Sequence, residues 1–297
     1  MTVATANGVS LAYELRGPPD GPPLVLVMGL GMPLVLWPDA FVDGLAAEGF
    51  RVVLFDNRDV GWSPRIEAPP PGNPLVAIAK SLMGLAVRGV YTLEDMADDT
   101  AGLLDALGIA RAHVVGTSMG GMIAQSLAAR HPARVASLTS IMSSSGNARV
   151  SMGRPRALRA ILQPPPNPRD LASVARHLEH VLRVIGSRTH PADDALLKAI
   201  CRRVAERGLD PRGMQRQLFA ILASGDRRRD LGRITAPTLV IHGNEDPLLK
   251  PAASRDIAQH VRGAKFFEIE GMGHDLPTPL IPGLVAMIAS HCRAAGA

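Results

Sequence analysis

The sequence predicts an α/β protein built on a mostly parallel β-sheet that is flanked by helices. Short runs of branched apolar residues alternate with helical patterns along most of the 297 residues, which is typical of parallel strands joined by crossover helices. The alternation stops between about Ser143 and Gly232, where the pattern is helical and loop-like, and it resumes at Ala236. We therefore expect one core, formed by residues 1–142 and 233–297, with residues 143–232 inserted as a helical lid.

Five strands and three helices are predicted before the insertion. The strands are Val9–Arg16, Leu24–Met28, Arg51–Asp56, Ala112–Gly116 and about Val135–Met142. The helices are near Asp39–Glu48, Thr92–Leu107 and Met119–Arg130. Thr92 is expected to cap the second helix, because its hydroxyl can accept a hydrogen bond from a backbone amide, and Gly108 suits the end of that helix. Pro132 is expected to stop the third helix.

Two strands and two helices are predicted after the insertion. They are strand Thr238–Ile241, helix Ala252–Val261, strand Lys265–Ile269 and a helix from about Pro282 to Cys292. A separate segment, residues 68–91, is apolar on all sides in its middle apart from Lys80 and Arg88. This segment is predicted either to pack as a helix on the core or the lid, or to form a wall of an apolar substrate entrance.

The charge of the chain does not indicate a nucleic-acid partner. The formal net charge is +5 and the isoelectric point is about 9.7. The excess lies between Arg149 and Arg233, where 18 Lys and Arg residues accompany 8 Asp and Glu residues. These arginines are scattered and aromatic residues make up only 3% of the chain, so an arginine-rich solvated surface explains the charge better than a basic, base-stacking groove.

The first residues and the cysteines of the chain suggest a cytoplasmic protein. The first residues lack the basic and apolar regions of a signal peptide, and no apolar run reaches the roughly 18 residues of a membrane span. We therefore expect a cytoplasmic location and no transmembrane segment. Cys201 and Cys292 have neither metal-ligand nor C-x-x-C spacing, so they are predicted to be reduced thiols, and no metal or cofactor is expected.

A glycine-flanked serine follows one of the central predicted strands. The stretch G-T-S-M-G, residues 116–120, places Ser118 between the strand and the next helix. A tight turn at this point would raise the serine hydroxyl above the sheet, and Gly116 and Gly120 would remove side chains that crowd the turn. The N–H of Met119 would then be a candidate oxyanion donor. Ser118 is therefore a candidate nucleophile, with a purely structural turn as the alternative.

A carboxylate and a histidine follow two other strands. Asp246 and Glu245 come just after Thr238–Ile241, and we favour Asp246 because it directly precedes Pro247, where the loop turns. His274 lies in a glycine-hinged loop after Lys265–Ile269, and an imidazole can exchange protons near neutral pH. His242 is predicted to be a packed or capping residue, because it lies too close to its strand to act as the base. Asp275 is predicted to be a cap or a surface residue.

A fourth strand leads into Gly29-Leu30-Gly31. Ligands of open α/β sheets bind beyond the carboxyl ends of the strands, which is where all four of these loops are expected. A glycine-rich turn there would let the N–H of Leu30 face Ser118 and complete an oxyanion hole with Met119.

Several motifs in order resemble the α/β-hydrolase superfamily. They are M-G-L-G at 28–31, F-D-N-R-D-V-G-W-S at 55–63, G-T-S-M-G-G at 116–121, P-T-L-V-I-H-G-N-E-D-P at 237–247 and G-M-G-H at 271–274. Within that superfamily the chain is similar to the aclacinomycin methylesterase-like carboxylesterases. The resemblance implies an α/β-hydrolase fold with a mostly parallel eight-stranded sheet and a helical lid inserted after the sixth strand. It also implies Ser118, Asp246 and His274 as the triad, Leu30 and Met119 as oxyanion donors, and structural roles for Asp56 and Arg58.

The residue types favour acyl transfer through a seryl ester. Relatives that dehalogenate haloalkanes or open epoxides use an aspartate as the nucleophile, whereas this turn contains Ser118. Epoxide hydrolases also use tyrosines of the lid, and the only tyrosines here, Tyr13 and Tyr91, lie outside it. We therefore predict a serine esterase for small-molecule apolar esters of small to medium size. Methylesterase, lactonase, thioesterase, perhydrolase and C–C hydrolase activities share this apparatus, and a non-catalytic ligand receptor is a further alternative.

Overall fold

A computed structural model describes residues 2–296, and its centre is one eight-stranded sheet with the spatial order β1-β2-β4-β3-β5-β6-β7-β8. The strands are β1 (Thr2–Ala6), β2 (Val9–Arg16), β3 (Pro23–Val27), β4 (Arg51–Phe55), β5 (Ala112–Thr117), β6 (Val135–Ile141), β7 (Thr238–Gly243) and β8 (Lys265–Ile269). β2 pairs antiparallel with β1 and β4, and the other neighbours are parallel. The predicted fold class is therefore confirmed, although the edge strand β1 and its hairpin were not predicted individually.

Twelve α-helices connect or cover the strands within residues 2–296. They are α1 (Asp39–Ala47), α2 (Pro74–Leu82), α3 (Leu93–Ala106), α4 (Met119–Arg130), α5 (Ala148–Ser151), α6 (Pro155–Leu162), α7 (Leu171–Ile185), α8 (Asp194–Arg207), α9 (Pro211–Ser224), α10 (Arg228–Leu231), α11 (Pro251–His260) and α12 (Ile281–Ala294). The Thr92 cap is confirmed, because its hydroxyl accepts a hydrogen bond from the Asp95 N–H while the Asp95 carboxylate accepts one from the Thr92 N–H. None of the helices in this part of the chain has the length and apolar character needed to cross a bilayer.

The sheet divides the hydrophobic core into two layers. Successive residues of a strand point to opposite faces, so Val25 and Val27 join the cluster that includes α3 and α4, whereas Leu24 and Leu26 join the cluster that includes α1 and α12. Because the inner strands are covered on both faces, β5, β6 and β7 are buried along their whole length. Such strands read as continuous apolar runs, which explains why they were visible in the sequence.

Residues 143–232, here called the helical insertion, lie between β6 and β7 in the chain and contain α5 to α10. α7 packs on α8 through Leu178, Leu197, Cys201 and Val204. Burial raises the pKa of Cys201 to about 12, which keeps this thiol protonated and poorly nucleophilic.

Two buried ion pairs fasten the helical insertion to the loop that follows β4. Arg207 of α8 donates to Asp56 at 2.8 Å, and Arg216 of α9 donates to Asp59 at 2.6 and 2.8 Å. Both aspartates are fully buried. The helical insertion is therefore fixed to the sheet by charge pairs that would be costly to break.

Candidate active site

Ser118 occupies a strained turn between β5 and α4. Its φ of 54° lies in the left-handed region that L-residues with side chains rarely adopt. Its N–H donates to the carbonyl of Ile141 at 2.9 Å, which ties the turn to β6. A Cβ on Gly116 would lie 2.2 Å from the carbonyl oxygen of Gly120, and a Cβ on Gly120 would lie 2.0 Å from that of Val27. Gly116 therefore allows β5 and the start of α4 to approach each other within the turn, and Gly120 allows α4 to pack against β3.

The side chain of Ser118 does not serve the turn. A serine at the N-cap of a helix normally accepts a hydrogen bond from an amide of the first turn, but the Ser118 hydroxyl makes no capping bond to α4. Ser118 is partly exposed, whereas Thr117 before it and Met119 after it are buried. Ser118 lies in the wall of a cavity, and its hydroxyl is not used to cap α4.

Asp246 and His274 form a buried pair at the ends of β7 and β8. The Nδ1 atom of His274 lies 2.7 Å from Oδ2 of Asp246, and the other carboxylate oxygen accepts hydrogen bonds from the N–H groups of Leu248 and Leu249 at 2.8 and 2.9 Å. Burial alone would raise the pKa of Asp246, but the charge of His274 and the hydrogen bonds from His242 and His274 hold it below its usual range. Asp246 is therefore ionised at neutral pH, and its bond to Nδ1 leaves Nε2 of His274 as the free ring nitrogen.

His242 makes a contact that the sequence did not reveal. This fully buried residue was predicted to be a packed or capping histidine, and its Nδ1 atom is indeed 2.7 Å from the hydroxyl of Ser254. Its Nε2 atom, however, is 3.1 Å from Oδ2 of Asp246 and 3.1 Å from the carbonyl of Leu249. Because both of these neighbours are acceptors, Nε2 carries a proton, and Asp246 receives hydrogen bonds from two histidines.

The turn at Gly29–Met32 lies beside Ser118. A Cβ on Gly29 would be 3.3 Å from Cβ and 3.8 Å from Oγ of Ser118, so the backbone here approaches the hydroxyl closely. The Leu30 N–H donates to no backbone or side-chain acceptor within residues 2–296. The Met119 N–H belongs to the first turn of α4, where amides lack intrahelical partners. Both predicted oxyanion donors are thus found next to Ser118.

A large apolar cavity joins these groups. It has a volume of about 1420 Å³, and Ser118, His274 and Leu30 lie in its wall. Most of the remaining wall residues belong to the helical insertion and α2, and aliphatic side chains predominate among them. Within residues 2–296 the structure shows no hydrogen bond between His274 and Ser118, although both line the same cavity. Catalytic hydrogen bonds of this kind often tighten only when substrate binds.

Glu245 and Asp275, the acidic neighbours of Asp246 and His274, make structural hydrogen bonds. Glu245 accepts hydrogen bonds from the N–H groups of Arg188 and Thr189 at 2.8 and 3.0 Å, and bonds from the hydroxyl and N–H of Thr189 lower its pKa to about 2. Asp275, predicted as a cap or surface residue, is partly buried and accepts bonds from the N–H and hydroxyl of Ser187 at 3.0 and 2.5 Å. Both carboxylates therefore hold the loop after α7 against the sheet.

Asp56 and Arg58 have the structural positions that were expected. Asp56 accepts hydrogen bonds from the N–H groups of Leu34 and Trp62 at 2.7 and 2.9 Å. Arg58 makes a two-point contact with Asp99 of α3, with both distances at 2.6 Å. These bonds fix the loop after β4, on which the helical insertion rests.

The segment of residues 68–91 combines its two predicted positions. Its helix, α2, packs on α9 of the helical insertion, and Leu75, Ile78 and Leu82 line the cavity. Leu75, Val76 and Met83 are more than half exposed. The segment is therefore both a helix packed on the insertion and an apolar wall of the cavity.

A family model described as the alpha/beta hydrolase fold matches residues 22–277. The chain therefore belongs to the α/β-hydrolase superfamily. It is 32% identical to the rhodomycin D methylesterase DauP of Streptomyces sp. strain C5 and 30% identical to the rhodomycin D methylesterase DnrP of Streptomyces peucetius. Each alignment covers 98% of this chain and 97% of the relative. The resemblance to methylesterases and the prediction of an enzyme of the carboxylic ester hydrolase type are thereby confirmed.

Solved structures give the same fold. The enol-lactonase of Burkholderia xenovorans LB400 superposes with a TM-score of 0.73 at 26% identity and covers 98% of this chain and 100% of its own. A meta-cleavage product hydrolase from Pseudomonas fluorescens IP01 superposes with a TM-score of 0.74 at 21% identity and covers 100% of this chain and 98% of its own, which supports the fold alone.

Proposed function

We propose that the protein hydrolyses carboxylic esters through a triad of Ser118, His274 and Asp246. The observation that carries this proposal is the pairing of a strained, non-capping Ser118 with the buried His274–Asp246 pair in the wall of one apolar cavity. A structural serine would need neither the strain nor the cavity. The N–H groups of Leu30 and Met119 are proposed to form the oxyanion hole.

In the first half of the reaction Ser118 attacks the ester carbonyl. His274 accepts the hydroxyl proton at Nε2 while the Asp246 carboxylate stabilises the imidazolium that forms. The negative charge that develops on the carbonyl oxygen is stabilised by the two backbone N–H groups, each typically worth on the order of 100-fold to 1000-fold in rate. The C–O bond then breaks, His274 protonates the leaving alcohol, and a seryl ester remains.

In the second half water replaces the alcohol. His274 takes a proton from the water, the resulting hydroxide attacks the seryl ester, and the Ser118 oxygen leaves with the proton that His274 returns. The products are the carboxylic acid and the free enzyme. These steps use water together with the side chains and backbone N–H groups named above.

The cavity supports an apolar substrate. Its volume exceeds the roughly 300–1000 Å³ of most ligand pockets, so a substrate larger than a short acyl ester would fit. Methyl esters of bulky acids deserve testing first, since two relatives of similar length are named methylesterases. We propose further that the helical insertion is a lid on the core formed by residues 1–142 and 233–297.

The test is an ester panel with matched serine variants. p-Nitrophenyl acetate through octanoate and methyl esters of bulky aromatic acids are assayed with wild type, Ser118→Ala and Ser126→Ala. Ser126 is a suitable control, because it is a buried serine of α4, the helix that follows Ser118, and its hydroxyl has no hydrogen-bond partner within residues 2–296. We expect Ser118→Ala to lose at least about 1000-fold in rate and Ser126→Ala to remain near wild type. Equal rates for Ser118→Ala and wild type would contradict the triad.

A further inference from the structure

Gln217 of α9 is fully buried and is hydrogen-bonded to the turn of residues 29–32, which lies beside Ser118. Its side-chain Oε1 accepts a hydrogen bond from the Gly31 N–H at 2.7 Å, and its Nε2 donates to the carbonyl of Arg58 at 2.8 Å. We propose that Gln217 is a positioning residue for the oxyanion hole. It keeps residues 29–32 in the conformation that points the Leu30 N–H towards the substrate oxygen at Ser118. This inference rests on the proposed function.

The peptide between Leu30 and Gly31 can have one of two orientations in this turn, which correspond to turn types I and II. The Met32 N–H donates to the Gly29 carbonyl at 3.3 Å, so residues 29–32 form a β-turn. Gly31 has a φ of 68° and Leu30 is not among the residues with positive φ, which is the pattern of a type II turn. A type I turn differs mainly by rotation of the peptide between the two central residues, here Leu30 and Gly31.

Gln217 acts on the peptide that distinguishes the two turns. The Gly31 N–H belongs to that peptide, so a hydrogen bond to it favours the type II orientation. A rotated peptide would leave the buried Oε1 of Gln217 without its donor, and an unsatisfied buried acceptor is unfavourable. The bond therefore limits the positions that the neighbouring Leu30 N–H can take relative to Ser118.

The position of the Gln217 amide depends on how α9 packs against the loops that follow β3 and β4. The adjacent Arg216 makes its two-point contact with Asp59, and Met214 lies so close that a Cβ on Gly31 would be 2.8 Å from its Cγ. Gln217 also reaches the loop after β4 through its bond to Arg58. Gln217 thus connects the helical insertion to the oxyanion turn by a hydrogen bond, and it does not line the cavity. Removal of its side chain should therefore weaken transition-state stabilisation without changing the cavity.

The test compares Gln217→Met with Phe219→Leu. Methionine has a similar length but cannot make either hydrogen bond, and Phe219 is a buried residue of the same helix that does not line the cavity. For ester hydrolysis we expect Gln217→Met to lower kcat by about 10-fold to 100-fold with KM changed less than about threefold, because only a transition-state interaction is weakened. Phe219→Leu should lower thermal stability but keep kcat within about threefold.

A trifluoromethyl ketone and a matching unreactive amide separate positioning from general loosening. The ketone forms a tetrahedral adduct whose oxyanion uses the hole, whereas the amide only fills the cavity. Gln217→Met should bind the ketone more weakly by the same factor as the loss in kcat, and the amide with unchanged affinity. Equal loss for both inhibitors, or kcat within twofold of wild type in an active enzyme, would overturn the role of Gln217. An inactive wild type would instead refute the proposed function.

Discussion

Replacement of Arg216 by Met should strongly destabilise the protein, because it leaves a buried carboxylate without its counter-charge. Arg216 and Asp59 are 3% and 0% exposed, and two of the four hydrogen bonds to this carboxylate come from Arg216, while the others come from Tyr91 and Ile66. Breaking a buried pair by removing one partner typically costs about 3–5 kcal/mol. Since Asp59 keeps two donors, we expect a loss near the lower figure.

The assay is urea unfolding at pH 7, with Arg202→Met as the control. Arg202 pairs with Glu206 on the surface of α8, where such a pair contributes at most about 0.5 kcal/mol. The double variant Asp59→Asn with Arg216→Met should recover to within about 1 kcal/mol of wild type, because a neutral amide no longer needs the guanidinium. A loss for Arg216→Met no larger than that for Arg202→Met would refute the reasoning.

The pH dependence of the same variant gives a second check on Asp59. Burial would raise the pKa of Asp59, but hydrogen bonds from Arg216, Tyr91 and Ile66 keep it below its ordinary value in the native protein. Its contribution to stability is therefore present at neutral pH and is lost only as the pH falls through this lowered pKa. Without Arg216 the effect of burial dominates, so the difference in stability between variant and wild type should shrink on acidification.

Three further variants test a buried histidine at the start of β5 and the second histidine that contacts Asp246. Burial, followed by the charges of His291 and Arg111, lowers the pKa of His113 to about 4, so the native state resists a proton that the unfolded chain binds below about pH 6.5. Relative to His113→Asn, wild type should therefore lose up to about 3 kcal/mol between pH 6.5 and pH 4 in urea unfolding, and parallel profiles would contradict this. His242→Leu removes one hydrogen bond to Asp246 and should lower kcat about tenfold, whereas His242→Gln, which can still donate, should lose less. Equal kcat values for His242→Leu and wild type would show that His242 only packs.

Much of the fold and the placement of the site followed from patterns local in sequence. The buried strands before Ser118 and Asp246 read as apolar runs, whereas β8 before His274 is a partly exposed edge strand marked in the sequence by Phe266 and Phe267. Parallel strands deliver their following loops to one edge of the sheet. The edge strand β1 was not predicted because it has only five residues and Val3 is its only large apolar side chain. Asn7 and Gly8, with φ values of 48° and 76°, nevertheless form the type of turn that an Asn-Gly pair predicts.

The remaining features depend on how distant segments dock. His242 reaches Asp246 only because the loop after β7 curls back on its own strand. Glu245 was the alternative to Asp246, and Asp275 was predicted to be a cap or a surface residue. The partners of both carboxylates, residues 187–189, come from the helical insertion. In the sequence Gln217 is one polar residue of an amphipathic helix. Its hydrogen bonds to Gly31 and Arg58 are visible only in the folded structure, where α9 packs against the loops that follow β3 and β4. Contacts of this kind join residues far apart in the chain, so they cannot be predicted from the local pattern of apolar and polar residues.

The central claim is that Ser118 is a nucleophile activated by His274. The most direct measurement is labelling of the folded protein with a fluorophosphonate, followed by peptide mass mapping of wild type and His274→Ala. We expect a single adduct on Ser118 in wild type, with labelling slowed by at least about 100-fold in His274→Ala because the general base is lost. Absence of an adduct on Ser118 in folded wild type, or labelling that is equally fast in His274→Ala, would contradict the account.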